Sequence, residues 1–420
     1  MKPPDEQISK LGTVIPYYVT GAISFVIIHF LLIISIPDIL THYFQPKLLA
    51  VAHLFVLGWA TMIILGATNQ LIPVISEHKL YNEFIPKFNI LLLVFLIPVL
   101  VLSFWNFQFT YKTYIAAGGV IIGILLHTIN IYRTISAGPQ SIITDILLMA
   151  HAWLAITAIV GILLLINLTY PIFPEEHLHY LKIHAPIGMA GWFMQLIIGV
   201  SSRLMPMFLL SRKENLKLLN ITFYTMNGGL TLFLIEGMVF KSFNGSIIYI
   251  AMVTIGLVSY GLYIKGCYQT ALRKKMDAAM KQTFVAITFI IATVVMLIAA
   301  IKATNSTNIS TAFGFCFLGG LVSTIIMGQT FKTLPFIVWM HITKPNQLPD
   351  IMPKDLYKEK TVWLQMMLYL PGILAFLVGL IVKNHVILYC SGGLMFLGSI
   401  IYTIHVVSIV NKLKHKYNGY

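Results

Sequence analysis

The chain has 420 residues, of which 58% are hydrophobic and 10% charged, with a mean hydropathy of +0.85. These figures exclude a soluble globular protein, in which charged residues run at about 25%, and a disordered chain, which needs low hydrophobicity and high charge. The net charge of +14 sits mostly at the ends of apolar runs, so the expected partner is a lipid membrane with anionic headgroups, and no nucleic acid.

A spanning helix needs about 20 apolar residues. Runs that meet this need predict helices at 15–36, 48–75, 88–107, 113–133, 143–168, 181–209, 218–240, 246–267, 279–301, 311–341, 362–382 and 386–411. The predicted fold class is therefore all-α: a polytopic membrane protein, one membrane domain over 1–420, with short loops and no soluble domain. The segment from Met1 to Lys10 carries both signs of charge, and no small-residue cleavage site follows the first apolar run, so no signal peptide is expected. The longest loop, 342–361, is rich in Pro and Lys and reads as a linker.

Placing the N-terminus inside puts most basic residues on the inner side. They include Lys2, Lys10, Lys79, Lys87, Arg133, Arg212, Lys213, Lys217, Arg273, Lys274, Lys275, Lys281, Lys344, Lys354, Lys358, Lys360, Lys412, Lys414 and Lys416. The outer side then holds Lys47, Lys112, Lys182, Lys241, Lys302 and Lys383. This asymmetry predicts a multi-pass protein of the cell membrane with both termini cytoplasmic.

Three of the runs share a pattern. The second reads Gly58-Trp59, six residues, Gly66, six residues, Pro73; the sixth reads Gly191-Trp192, Gly199, Pro206 at the same spacing; the tenth reads Gly320-Leu321, Gly328, Pro335. Three pseudo-repeats of four helices follow, at approximately 1–137, 138–275 and 276–420. Seven residues are nearly two helical turns, so Trp or Leu, Gly and Pro are expected on one helix face, with the glycines allowing close helix approach. Gln70, Arg203 and Lys332 each lie four residues after the middle glycine. They read either as side chains reaching to the interface or as the polar mouths of channels between repeats.

Ionisable groups inside a bilayer are costly and are functional candidates by default. His29, His53, His184 and Glu236 all fall near the outer ends of their runs, in an expected common layer roughly 10 Å thick. His177 and His179 are expected just above it, with Glu175 and Glu176. His127, His151 and His405 sit in the inner halves of spans 4, 5 and 12 and read as helix-contact residues. Asp145, six residues before His151, forms with it an expected inner proton-relay step. Cys267, Cys316 and Cys390 form no Cys-x-x-Cys, which excludes a thiolate metal site and a disulfide framework. Walker-type, Gly-x-Ser-x-Gly and His-Glu-x-x-His motifs are absent, which leaves ATP hydrolysis and membrane proteolysis without support.

The twelve runs, the threefold Gly–Gly–Pro pattern and a His shortly before Gly-Trp resemble subunit I of the heme-copper oxidases and nitric oxide reductases, and the short twelve-span NnrS-type proteins. The segment from His53 through Gly58-Trp59, Gly66, Asn69 and Pro73 resembles the family's second helix, whose His binds the low-spin heme. The segment His184-Ala-Pro-Ile-Gly-Met-Ala-Gly-Trp resembles the sixth helix, whose His is a copper ligand. The tenth run departs from the family: Phe313 and Phe315 stand where its heme-binding histidines would be, and the seventh run has no His. The resemblance implies heme b, since no Cys-x-x-Cys-His offers covalent attachment, with copper as a further cofactor. It implies His53, His184 and His29 as cofactor-binding residues and His184 with Glu236 as metal ligands. The implied role is redox or nitric oxide- and oxygen-related, with a respiratory electron donor as partner and an oxidoreductase activity that lacks the full ligand set. A transporter or channel, or a cofactor-free scaffold on the same fold, are the alternatives.

Overall fold

The computed structural model describes residues 8–211, 214–272, 276–302, 307–343 and 351–413. Lys2, Arg212, Lys213, Arg273, Lys274, Lys275, Lys344, Lys414 and Lys416 of the basic set lie outside the described residues. The protein is an all-α, polytopic membrane protein. Twelve helices are long and apolar enough to cross a membrane: α1 Leu11–Ile34, α2 Pro46–Ile75, α3 Phe84–Asn106, α4 Tyr111–Ser136, α5 Ile142–Thr169, α6 His177–Leu209, α7 Leu216–Phe240, α8 Ser246–Gln269, α9 Ala278–Lys302, α10 Thr307–Ile342, α11 Glu359–Val382 and α12 His385–Asn411. Among the described residues there is no strand, only one antiparallel bridge between Ser211 and Ala271.

The helices begin where the sequence satisfies orphan backbone N–H groups. Ser141 caps α5, its Oγ accepting from Thr144 N at 3.2 Å. Asn384 caps α12 by accepting from Ile387 N at 3.1 Å, and Asn82 caps α3 by accepting from Phe84 N at 2.7 Å. Pro46 opens α2, where the N–H it lacks would be unpaired in any case.

The three patterned helices share a feature that hydropathy does not show. Each passes through a π-helical segment: Leu54–Thr61 in α2, Ile187–Met194 in α6 and Cys316–Val322 in α10. In each, the segment spans the Gly-Trp or Gly-Leu pair at the same register. Its i→i+5 bonds turn the chain by roughly 82° per residue instead of about 100°. Glycines eight residues apart would diverge by about 80° on an α-helix; a π turn between them brings them back into line. The contacts agree. Gly58 lies against Ser24, and Gly66 against Tyr17 and Val14, all on α1; Gly191 lies against Trp153 and Gly199 against Leu147, both on α5; Gly320 lies against Phe289 and Gly328 against Ala279 and Thr283, on α9. The expectation that Trp, Gly and Pro share a face assumed 3.6 residues per turn throughout. The wide turn instead aligns the two glycines against the preceding helix.

The chain forms two compact units. The first comprises 1–71, 86–116 and 276–420. Within it α12 packs on α11 and on α1, and α9 on α10. Its buried centre is aromatic: Trp59 stacks on Phe25 at 3.9 Å, and Tyr402 meets Phe25 and Phe331 edge-on. The second unit comprises 72–85 and 117–275. Here α5 packs on α6 and α7 on α8. Its core joins Trp153, Val160, Leu164, Tyr180, Ile183, Ile187 and Leu230. Large apolar side chains such as Phe88, Phe95, Ile122, Ile255 and Ile291 remain exposed, as lipid contact in a spanning helix requires.

Candidate functional site

His53 is half-buried at the last α-helical residue of α2 before the π turn. Its Nδ1 meets the Leu49 carbonyl at 2.8 Å, and its ring tilts against Phe104 at 4.6 Å. A carbonyl can only accept, so Nδ1 carries the proton and Nε2 is the ring nitrogen with a lone pair. A backbone bond of this kind is how proteins fix the tautomer of a ligating histidine.

His29 makes the same bond, with Nδ1 donating to Phe25 O at 2.8 Å, but its Nε2 is taken by the Tyr369 hydroxyl at 3.1 Å. Both ring nitrogens of this buried residue are thus used within the first unit. His29 and His53 have different neighbours, Tyr369 for one and Phe104 for the other.

In the second unit, His184 is half-buried and lies against α5 where Gly161 leaves room. A Cβ at Gly161 would stand 3.0 Å from the imidazole Cε1. Glu236 opens a π-helical segment, Glu236–Phe240, and turns its carboxylate onto the backbone. Gly245 N donates to both oxygens, at 3.1 and 3.2 Å, just before α8 begins. Glu236 thus holds the N–H of Gly245, the N-cap of α8, and lies at a helix N-terminus, a favourable place for negative charge. His179 bonds Gly237 O through Nε2 at 2.9 Å and ties α6 to α7.

Asp145 and His151 do not share a face of α5. Six residues at about 100° each put them some 120° apart around the helix. His151 turns instead to His127 on α4, with ring centroids 5.4 Å apart, and to Trp192 on α6, at 5.2 Å and edge-on. All three side chains are buried. His151 Nδ1 donates to Leu147 O at 2.7 Å, which leaves Nε2 as an acceptor, and this buried nitrogen has no hydrogen-bond partner. The buried Trp192 Nε1–H has none either. An orphaned buried polar atom costs about 1–3 kcal/mol. Elsewhere in the unit Asn227 Oδ1 accepts from both Trp153 Nε1 and Gln195 Nε2, each at 2.8 Å. Sequence reading treated His127 and His151 separately; nothing in local spacing announces that two helices turn these faces together.

Two of the three polar residues after the middle glycines, Gln70 and Lys332, have local partners. Gln70 Oε1 accepts from Ser9 N at 3.0 Å, while Ser9 Oγ donates to Asn69 O at 2.6 Å and Asn69 Nδ2 to Thr13 O at 2.9 Å. The segment before α1 is thus stitched to the end of α2. Lys332 forms an ion pair with Asp277. Arg203 is exposed. His405 accepts from Lys358 N at 3.1 Å through Nε2 and stacks on Phe331.

Among the described residues no group of three or more His, Cys, Asp and Glu side chains stands close enough to hold a metal ion. No protein-family model matches the chain, and no curated protein matches its sequence.

Proposed function

We propose that this membrane protein binds heme b through His53 and serves a redox or nitric oxide- and oxygen-related role in the cell membrane, with both termini cytoplasmic. The observation that supports this reading is the Nδ1–H bond from His53 to Leu49 O, which leaves the lone pair on Nε2, the nitrogen that would hold the heme iron, at the entry to a π turn. π turns recur at functional sites because they re-aim side chains without ending the helix. The resemblance of the α2 motif to the oxidase second helix supports the same residue.

The other candidates fit unequally. His29 already receives the Tyr369 hydroxyl on Nε2 and fits a structural role better than that of a second ligand. Glu236 is occupied by the N-terminus of α8. His184 retains a place with room around its ring, but a copper centre on His184 and Glu236 has no further ligand from the described residues. One axial histidine is therefore the arrangement favoured here. Heme supplies electron storage and a coordination position for a diatomic gas; the chain supplies His53, held in one tautomer and packed on Phe104. A respiratory electron donor is the corresponding partner.

A cofactor-free scaffold is the second reading, and the self-satisfied His29 and Glu236 favour it. The channel reading has less support, since Gln70 is bound to Ser9 and Lys332 to Asp277. Heme and metal content of the detergent-purified chain, expressed with ample heme supply, decides between the first two. The heme reading expects about one pyridine-extractable heme per chain; folded protein without heme supports the scaffold.

A further inference from the structure

We propose that Tyr369 is a redox-active tyrosine whose phenolic proton moves to His29 when one electron is removed. The direction of their hydrogen bond is fixed. His29 Nδ1 lies 2.8 Å from Phe25 O, and a carbonyl only accepts, so Nδ1 carries the proton. Nε2 is then a lone pair, and the Tyr369 hydroxyl 3.1 Å away donates to it. His29 is 2% exposed and Tyr369 0%, so bulk water does not compete for the proton.

Three other buried tyrosines of the first unit supply the contrast. Tyr17 donates to Pro86 O at 2.8 Å. Tyr18 meets Thr333 Oγ1 at 2.9 Å, and Tyr402 meets Thr330 Oγ1 at 3.0 Å. Each threonine spends its own hydrogen on a helix carbonyl, Gln329 O for Thr333 and Ile326 O for Thr330, so the phenols are the donors. A carbonyl or an alcohol accepts a hydrogen bond but is too weak a base to keep the proton, whereas a neutral imidazole can keep it. Of these four phenols, Tyr369 alone faces a base.

That difference decides what oxidation can do. A phenol that loses an electron with no base beside it leaves an uncompensated radical cation in an apolar interior, where charge is costly. Tyr369 instead loses one electron and breaks its O–H bond, while the proton forms an N–H bond at His29 Nε2. The products are a neutral phenoxyl radical and an imidazolium whose two N–H groups face the phenoxyl oxygen and Phe25 O. Return of the electron reverses both transfers. The electron goes to a one-electron iron oxidant of the heme class. That oxidant rests on the heme reading; the tyrosine chemistry does not. An aromatic series links Tyr369 to α2: its ring lies 5.6 Å from Phe25, which stacks at 3.9 Å on Trp59 in the π turn.

The test uses the full chain in detergent, with heme counted on each preparation and the flash measurements made on heme-free chain. Cys390 is exposed, while Cys267 and Cys316 are buried, so Cys390 takes a ruthenium(II) polypyridyl label. A Cβ at Gly398 would stand 3.2 Å from Tyr369. Cys390 precedes Gly398 by eight residues, about 12 Å along α12. Tyr389→Phe is present in every sample, because Tyr389 is exposed beside the label. A flash with an electron-accepting quencher makes ruthenium(III), the oxidant. The expected result is a tyrosyl radical by electron paramagnetic resonance, lost in Tyr369→Phe and kept in Tyr402→Phe. His29→Gln, which accepts a hydrogen bond but does not keep a proton, should slow its formation about 100-fold or more. Protein produced in deuterium oxide should form it several-fold more slowly. A radical undiminished in Tyr369→Phe overturns the proposal. So does formation at the parent rate in His29→Gln, or no tyrosyl radical in the folded, labelled chain. If His29→Gln fails to fold, the isotope comparison decides, and equal rates in the two waters overturn the proposal. A chain that purifies without heme yet forms the radical at Tyr369 counts against the heme reading alone.

Discussion

His29 in the first unit and His151 in the second begin alike. Each is buried, and each donates Nδ1–H to the carbonyl four residues earlier, at 2.8 and 2.7 Å. They part at Nε2, which meets the Tyr369 hydroxyl in one case and has no hydrogen-bond partner in the other. The local helix fixes the tautomer in both; the partner helix decides whether the second nitrogen is spent or available. A histidine's depth in the membrane is therefore a weaker guide to ligation than the group opposite its Nε2.

The difference can be sharpened by substitution, read as stability in detergent. The largest effect is expected at Asn227, which satisfies two buried N–H groups in the second unit. Asn227→Leu orphans both and should cost about 2–4 kcal/mol. Tyr369→Phe removes the partner of His29 Nε2 and should cost about 1–3 kcal/mol. Trp192→Phe should cost less than Tyr369→Phe, because deleting an N–H that has no partner offsets part of the lost packing, with a net effect of about 1 kcal/mol or less. Equal losses at Tyr369 and Trp192 would erase the distinction between the two histidines. The smallest effects come from glycines of opposite setting. A Cβ at Gly328 would stand 2.9 Å from Ala279 O, whereas one at Gly118 meets nothing within 4 Å. Gly328→Ala should therefore destabilise, and Gly118→Ala should gain about 0.5–1 kcal/mol as a helical glycine replaced without a clash.

Much of the fold is legible in hydropathy, since a bilayer forces each crossing to be a continuous apolar helix. Every expected span is present, and the largest shifts, as at the starts of α1 and α3, are four residues: Leu11 against 15 and Phe84 against 88. The π turns are not legible, because they change phase without changing composition; only the recurrence of Gly-Trp and Gly-Leu at one spacing hints at them. His53 stands out in the sequence because its motif is local. The bond between His29 and Tyr369 joins residues 340 positions apart, and the His127–His151 pair depends on which faces of two helices meet. The 120° offset of Asp145 from His151 is legible from helical periodicity and argues against that relay. Glu236 reads as an intramembrane carboxylate until the turn before α8 brings Gly245 N onto it.

The central claim is that Nε2 of His53 is an axial heme ligand. It is tested most directly by the dithionite-reduced minus oxidised absorption spectrum of wild-type protein and of His53→Ala. The account predicts a b-type α-band in the wild type that is lost in the variant while the protein remains folded. A band unchanged in His53→Ala, or no band in folded wild-type protein expressed with ample heme, would contradict it.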